Sequence, residues 1–232
     1  WNGATQSLLY DAGLLHDCGV SSTRVHRNLV VDLEWAGAQE HCIRGDALLH
    51  DFAPLAHLAP IIRYHHSRWE WLESQSLAAD TALHANLIFL ADRIDVLAAP
   101  YHAEQTVLAH AKEIRARLAA ERGRLFCPEL IDAFLALSEG EAFWLDLQPD
   151  SVHQYQLEME SHGEPRTIGW ADFKRCADIF ARIIDAKSHY TEQHSQGVAR
   201  LSRHLAERLG LDFVACEKIE VAGLLHDIGR LA

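Results

Sequence analysis

A histidine–aspartate pair near each end of the chain is the first candidate for chemistry. "GLLHDCG" holds His16 and Asp17, and "GLLHDIG" holds His226 and Asp227. Imidazole and carboxylate groups offer a borderline and a hard metal ligand from neighbouring positions. A carboxylate also has two oxygens, so it can bridge two metal ions about 3.5–4 Å apart. One such pair is typical of a polar helix end, but the repeated frame favours a metal site.

Further side chains that bind metals follow the first pair. His41 lies in "QEHCIRGDALLHD", His65 and His66 are adjacent in "RYHHSRWEW", and Asp92 lies in the apolar "FLADRIDVLAA". Adjacent helical residues point about 100° apart, so neighbouring histidines suit two metals better than one. A carboxylate in an apolar helix is costly unless it is paired. We therefore expect Asp92 to meet a cation or hydrogen-bond donors.

Each of these residues also has a plainer explanation. His41 could be a surface histidine, and His65–His66 could be a polar helix end. Asp92 could form an ion pair with one of three nearby arginines: Arg63, Arg68 or Arg93. Any one of these explanations is acceptable alone, but together they account poorly for the order His-Asp, His, His-His, Asp.

The composition predicts that helices position these side chains. Of 232 residues, 49% are hydrophobic, and glycine and proline number only 13 and 6. Alanine, leucine, glutamate and arginine are plentiful, which favours an all-α fold. Segments such as "TALHANLIFLADRIDVLAA" repeat apolar residues at intervals of three and four, the period of a helix.

The helical pattern weakens between the two halves. We interpret residues 148–168 as an irregular linker or small cap, in which "QYQLEME" alternates like a short strand. The predicted organisation is a first helical module at 1–147, this linker, and the start of a second module at 169–232.

Charge and cysteine content limit the partners and the compartment. The net charge is −12 and no run of Lys or Arg forms a patch, which argues against duplex nucleic acid or an anionic membrane as a partner. The five cysteines include no Cys-x-x-Cys pair, which indicates reduced thiols. No secretory signal or membrane-spanning stretch is evident, so we expect a cytoplasmic protein.

The order of these residues resembles the HD-GYP branch of the HD-domain metal phosphohydrolases. "FLADRIDVLAAP" is similar to the family's "ADxxDAL" segment, and "GRLFCPELIDAFLAL" resembles the end of its domain. This first resemblance covers residues 8 to about 145. A second copy opens at "IIDAKSHYTEQHSQGVARLSRHLAERLG" and runs to "GLLHDIGRLA", and it matches the family's opening more closely.

The resemblance implies an HD-domain helical bundle with two or three divalent ions, iron or manganese, per complete site. It implies hydrolysis of a cyclic dinucleotide, either cyclic di-GMP or cyclic GMP-AMP. By motif, the second-copy metal ligands would be His194, His226 and Asp227. The first-copy ligands would be His16, Asp17, His41, His65, His66 and Asp92.

The two copies depart from the family pattern at different positions, and we therefore expect different roles for them. After His66 the first copy has "SRWEWLESQ" instead of Glu-Arg and a Gly-Tyr-Pro loop, and it has Val20 where the family has lysine. Arg230 keeps a cation at that position in the second copy, which stops at Ala232 before its remaining ligands. We therefore expect catalysis by Asp227, His226 and Arg230, and a regulatory or structural first module.

Two other functions stay open at this point. Degenerate HD modules could form a non-catalytic signalling or dimerisation scaffold, or the chain could be an HD phosphohydrolase acting on other nucleotides. A homodimer is compatible with either function. An "HHExxDGxGYP" continuation of the second copy would favour the cyclic-dinucleotide enzyme.

Overall fold

The computed structural model describes most of the chain, and the predicted all-α class is confirmed. The described residues form twelve α-helices and three short 3-10 helices, with no strand among them. The residues described are 2–20, 33, 37–102, 104–162, 167–187 and 193–231, without the side chains of 160–162 and 230–231.

The helices are numbered here in chain order. Those before residue 147 are α1 (Gly3–Leu15), α2 (Ala38–Leu49), α3 (Ala59–Tyr64), α4 (Trp69–Ser74), α5 (Ala79–Ala98), α6 (Val107–Ala119), α7 (Pro128–Leu137) and α8 (Glu141–Asp146). Those that follow are α9 (Pro149–His162), α10 (Trp170–Lys187), α11 (His194–Arg208) and α12 (Phe213–Leu225). The 3-10 helices are Ala56–Leu58, Ala99–Tyr101 and Ile228–Leu231.

Local sequence chemistry sets where several helices begin. Asn2 caps α1 by accepting a hydrogen bond from the Thr5 amide at 2.9 Å. Asp212 does the same for α12, accepting from the Ala215 amide at 2.8 Å. Pro128 occupies the first turn of α7, where its missing N–H leaves no hydrogen bond unmade.

The prediction of an irregular segment is wrong for residues 149–162, because these residues form helix α9. Pro149 starts this helix and Asp150 lies in its first turn, where a negative charge is favourable. Two of the three apolar residues of the apparent strand, Tyr155 and Leu157, are exposed, and the third, Met159, is half-buried. Alternation alone stabilises a strand only where a sheet partner covers one face, and no described strand is present to do so.

The buried side chains form three clusters. One lies among α5–α8 and includes Phe89, Leu118 and Trp144. The second surrounds the first His-Asp pair, where α1, α2, α3 and α5 meet α10. The third joins α10, α11 and α12 beside the second pair.

Helix α10 contributes to two of these clusters. Ile179 and Ile183 pack into the cluster around the first His-Asp pair. Ala177 and Ala181 pack against α11 and α12. Residues two apart on an α-helix point in nearly opposite directions, so one helix serves both cores.

None of the helices in the described part of the chain is both long enough and apolar enough to cross a bilayer.

Candidate metal centres

The turn that carries Asp17 packs directly against α2. Gly19 makes this possible, because an added Cβ there would overlap the carbonyl oxygen of His41 and the amide nitrogen of Gly45. Gly45 in turn lets α3 approach, since a Cβ on it would lie 2.7 Å from Cγ2 of Ile62. The two glycines therefore bring Asp17, His41 and the end of α3 together.

Four side chains converge at this point. The potential ligand atoms of Asp17, His41, His65 and His66 all lie within 4.8 Å of one another. Nε2 of His41 is 3.2 Å from Oδ1 of Asp17 and 3.2 Å from Nε2 of His65. His16 lies at the edge of the group, with Nε2 3.6 Å from Oδ2 of Asp17. We call Asp17, His41, His65 and His66 the first cluster.

Backbone carbonyls orient two of the imidazoles. Nδ1 of His16 lies 2.7 Å from the carbonyl oxygen of Gly13, and Nδ1 of His65 lies 2.7 Å from that of Ile62. Because a carbonyl oxygen only accepts, each Nδ1 carries the hydrogen and donates it. Each Nε2 then keeps its lone pair available toward Asp17, which is the arrangement that metal-binding histidines use.

The first cluster fits a divalent transition metal. Oδ1 of Asp17 and Nδ1 of His41 are buried, and neither makes a hydrogen bond of good geometry within the described structure. Nε2 of His65 presents a lone pair to the same small volume. Imidazole nitrogens combined with a carboxylate oxygen suit iron, manganese or zinc, and a cation there would satisfy Oδ1 of Asp17.

Protonation also favours metal binding. Burial lowers the pKa of His65 to about 3, assisted by the neighbouring His16 and His41. Burial and adjacent imidazoles likewise lower the pKa of His66 well below its ordinary value. Burial alone would raise the pKa of Asp17, but the His41 imidazole, with Nε2 3.2 Å from Oδ1, and the neighbouring His16 and His65 bring it below the ordinary range. Neutral imidazoles and an ionised carboxylate are the forms that bind a metal.

Asp92 lies beside the first cluster and is held by an arginine. Its Oδ2 is 3.7 Å from Nε2 of His66, and it accepts hydrogen bonds from Arg93 at 3.1 and 2.6 Å. Burial raises the pKa of Asp92, with Arg93 opposing that shift. Among the three arginines considered from the sequence, the structure shows Asp92 with Arg93. Its role as a metal ligand stays a prediction.

A second, smaller group forms where α11 begins and α12 ends. The ligand atoms of His194, His226 and Asp227 lie within 4.8 Å of one another, and we call these residues the second cluster. Nδ1 of His226 lies 2.8 Å from the carbonyl oxygen of Gly223, and its Nε2 is 3.5 Å from Oδ2 of Asp227. The side chain of Arg230 lies outside the described residues.

Sequence reasoning missed a buried aspartate that supports the second cluster. Asp185 on α10 accepts hydrogen bonds from the amide and the hydroxyl of Ser195, at 3.0 and 2.6 Å. These bonds fix the first turn of α11, which carries His194. A carboxylate following the apolar pair Ile183–Ile184 was the available clue, since a buried charge requires donors.

The structure thus brings Asp17, His41, His65 and His66 together, with His16 and Asp92 at the margins. The second-copy residues assemble separately. Val20, at the position where the resemblance to the HD-GYP branch implies a lysine, is buried. Whether these groups bind metal, and which of them act in catalysis, stay predictions.

The fold and the site together, a helical bundle in which His-Asp pairs lie beside further histidines, are typical of one class of proteins. The sequence profile of the HD domain matches residues 3–97 and 191–232, which is more than half of the chain. The chain therefore belongs to the HD domain family, and each matched range contains one of the two His-Asp pairs.

Particular relatives come from Vibrio cholerae serotype O1. The protein named 3'3'-cGAMP-specific phosphodiesterase 1 is 34% identical over 241 residues, which cover all of this chain and 54% of that protein. The protein named 3'3'-cGAMP-specific phosphodiesterase 3 is 28% identical over 149 residues, covering 64% of this chain and 31% of that protein. The chain thus spans about half or less of the length of these curated relatives.

A solved structure shows the same fold. The crystal structure of a cyclic GMP-AMP-specific phosphodiesterase from V. cholerae aligns with a TM-score of 0.66 at 21% identity. The alignment covers all of this chain and 62% of that chain.

Proposed function

We propose that this chain is part of a metal-dependent phosphodiesterase that hydrolyses a cyclic dinucleotide, with cyclic GMP-AMP as its substrate. The observation that carries the proposal is the assembly, twice in one chain, of a His-Asp pair with a further histidine at its side. The names of both V. cholerae relatives favour cyclic GMP-AMP over cyclic di-GMP.

The proposed organisation is a tandem HD-GYP arrangement, with a regulatory or structural module at 1–147 and a catalytic module that begins at 169. Residues 148–168 join them, largely as α9. Two features support this division of roles. Val20 is buried and uncharged where a cation would face the phosphate, and "SRWEWLESQ" forms α4 and its flanks where the family has its Gly-Tyr-Pro loop.

Each residue of the second cluster has a proposed task. His226 donates its Nδ1 hydrogen to Gly223, so its Nε2 is available as a ligand. Asp227 offers two oxygens from the next position in the chain, and Asp185 holds the turn that carries His194. Bound iron or manganese, in two or three positions per complete site, would supply Lewis acidity and lower the pKa of a bound water. Arg230 would neutralise charge on the phosphate.

The test is hydrolysis by the full-length protein. With manganese or iron(II) added, we expect conversion of cyclic GMP-AMP to a linear dinucleotide, slower conversion of cyclic di-GMP, and loss of turnover when a chelator is present. Activity confined to ordinary nucleoside phosphates would favour an HD phosphohydrolase of another specificity. No hydrolysis of any of these compounds by metal-loaded protein would favour a non-catalytic scaffold.

A further inference from the structure

We propose that a pocket between α2 and α10 binds a small phosphomonoester, with one arginine from each helix holding the phosphate. The pocket has a volume of about 300 Å³ and also reaches the start of α11. Its described walls include no residue of the first or second cluster. Binding there therefore does not depend on the proposed hydrolysis.

The pocket is positively charged although the chain as a whole carries a net charge of −12. Arg44 on α2 and Arg182 on α10 both line it. Among the lining residues that the structure describes, none is Asp or Glu. An anion in this pocket is therefore attracted to two cations and meets no carboxylate in the described walls.

The guanidinium of Arg182 is held in place while it keeps further donors. Its Nε donates to Oδ2 of Asp178, one helical turn earlier, at 2.9 Å, and the side chain is 47% exposed. An arginine carries five N–H groups in a rigid fork, so the bond to Asp178 orients the group and the terminal nitrogens can donate to a phosphate. The Asp178 carboxylate offsets part of the Arg182 charge, which makes the second arginine necessary.

A third cation lies near the same wall. Burial and the Asp17 carboxylate raise the pKa of Cys18, which lines the pocket, and the positive charge of Lys187 opposes that rise. Charges more than about 10 Å apart are largely screened at moderate salt. The Lys187 ammonium is therefore close to Cys18 and adds to the positive potential of the pocket.

The start of α11 contributes in the same direction. Gln193, the N-cap residue of α11, lines the pocket, so the positive end of the helix dipole faces it. Asp185 accepts the Ser195 amide in this first turn and offsets part of that effect. The arginines therefore supply most of the attraction.

Size and chemistry select the class of ligand. Ligand pockets usually span about 300–1,000 Å³, so this one lies at the small end, which favours a small metabolite. Guanidinium groups on two separate helices suit a phosphate, which accepts hydrogen bonds from several directions. Leu48 and Ile183 supply an apolar wall for a short carbon skeleton. A phosphomonoester of the size of glycerol 3-phosphate meets these requirements.

The pocket adjoins segments that lead to both clusters. Cys18 and Gly19 line it and directly follow Asp17, while Gln193 lines it and directly precedes His194. A ligand that contacts these segments would restrain the turn after Asp17 and the first turn of α11 together. Its binding should therefore be detectable at both places.

The experiment titrates glycerol 3-phosphate into the metal-free 232-residue chain by calorimetry, so that no bound cation attracts the phosphate. Arg182→Gln and Arg44→Gln should each weaken binding by about tenfold, because each removes charge-assisted hydrogen bonds. Arg182→Lys should show intermediate affinity, since lysine keeps the charge but not the planar fork. Glycerol, which lacks the phosphate, should not bind.

Arg175→Gln is the matched control. Arg175 also lies on α10, pairs with the same Asp178 at 3.8 Å and is 39% exposed, but it is not among the residues that line this pocket. Its loss should leave the affinity unchanged. Circular dichroism confirms that each variant is folded. Hydrogen exchange should slow on binding in peptides that cover residues 13–20 and 193–200.

Three results would overturn the proposal. One is absence of binding to the folded, metal-free chain. Another is equal affinity in Arg182→Gln, Arg44→Gln and the unaltered chain, or an equal loss in Arg175→Gln. The third is binding that requires manganese and is unchanged in Arg182→Gln, because the phosphate would then be bound by a cation at one of the clusters.

Discussion

The two "GLLHD-x-G" frames share their local geometry. In the first, His16 donates through Nδ1 to the carbonyl of Gly13 at 2.7 Å. In the second, His226 donates to the carbonyl of Gly223 at 2.8 Å. Both histidines follow the last residue of a helix, so the same helix end orients the same ring nitrogen. This part of each site depends only on the local sequence.

The frames differ in what packs after the pair. A Cβ on Gly19 would overlap the His41 carbonyl on α2, whereas a Cβ on Gly229 would meet no described atom within 4 Å. The first frame is thus supported by the helices that follow it. Those helices supply His41, His65 and His66, which explains why the first cluster has more histidines and is more deeply buried.

On the N-terminal side of the His-Asp pair, the second frame is the more tightly packed of the two. A Cβ on Gly223 would lie 2.6 Å from Cα of Ala199 on α11, while the only described neighbour of a Cβ on Gly13 is a side-chain atom at 4.0 Å. Accordingly Leu224 is 5% exposed and Leu14 is 57% exposed. The second frame is supported by the helix that precedes it, which also supplies His194. The first frame is therefore packed against the helix that follows it, and the second frame against the helix that precedes it.

The largest expected effect tests which of the two modules carries out catalysis. In the full-length protein, Asp227→Ala should lower kcat/KM for cyclic GMP-AMP by about 10³-fold or more, because it removes the carboxylate that would hold the metal in the proposed catalytic module. Asp17→Ala should change it by less than about tenfold. Initial rates with added manganese measure both. If Asp17→Ala abolishes turnover and Asp227→Ala preserves it, the active and inactive copies have been assigned the wrong way round.

The next effect concerns metal content of the 232-residue chain. Asp17→Ala should remove most of the metal from the first cluster, since it deletes the central carboxylate. His16→Ala should retain most of it, because His16 lies at the edge. Elemental analysis after dialysis measures the metal bound per chain in each variant. The loss of metal in Asp227→Ala gives the share bound by the second cluster. Unchanged metal in Asp17→Ala would place the ion elsewhere.

The helical class could be predicted from the sequence, because helical periodicity is a local pattern. The side chains that converge on Asp17 come from separate segments, and we expected them together from the ligand order and the family resemblance rather than from any local pattern. The sequence did not identify Arg93 among the candidate partners of Asp92, since the choice depends on how α5 is rotated in the core. It also missed α9, where alternation resembled a strand. The close approach of Gly19 to α2 depends on tertiary packing, which no single segment encodes.

Steric support can be tested with paired glycine substitutions. Gly19→Ala should lower the free energy of unfolding by about 1–3 kcal/mol or more, because the new Cβ overlaps backbone atoms of α2. Gly229→Ala should change it by less than about 0.5 kcal/mol in this chain. Urea unfolding followed by circular dichroism measures both. Equal destabilisation by the two substitutions would contradict the difference in packing.

The last test concerns pH and the buried histidines of the metal-free chain, where each single pH step changes stability only modestly. The pKa of His65 is 6.5 when unfolded and about 3 when folded, and burial lowers that of His66 as well. Between these values the unfolded chain binds more protons than the folded chain, so stability rises with pH from about 3 to 6.5. Below pH 3.8 the lowered pKa of Asp17 adds to this trend. Above pH 3.8 the raised pKa of Asp92 opposes the trend, because the folded chain there binds more protons at this carboxyl than the unfolded chain does.

Urea unfolding at several pH values, with a chelator present, measures this slope. Each buried histidine should contribute up to roughly 1.4 kcal/mol per pH unit, because stability changes in proportion to the protons taken up on unfolding. His65→Gln should reduce the slope between pH 4 and 6.5, since glutamine does not titrate. Phe134→Leu is a suitable control, because Phe134 is buried against the rings of Phe143 and Trp144, which do not titrate, and its loss should lower stability equally at every pH. An identical slope in His65→Gln and the unaltered chain would show that His65 does not stay neutral in the folded protein.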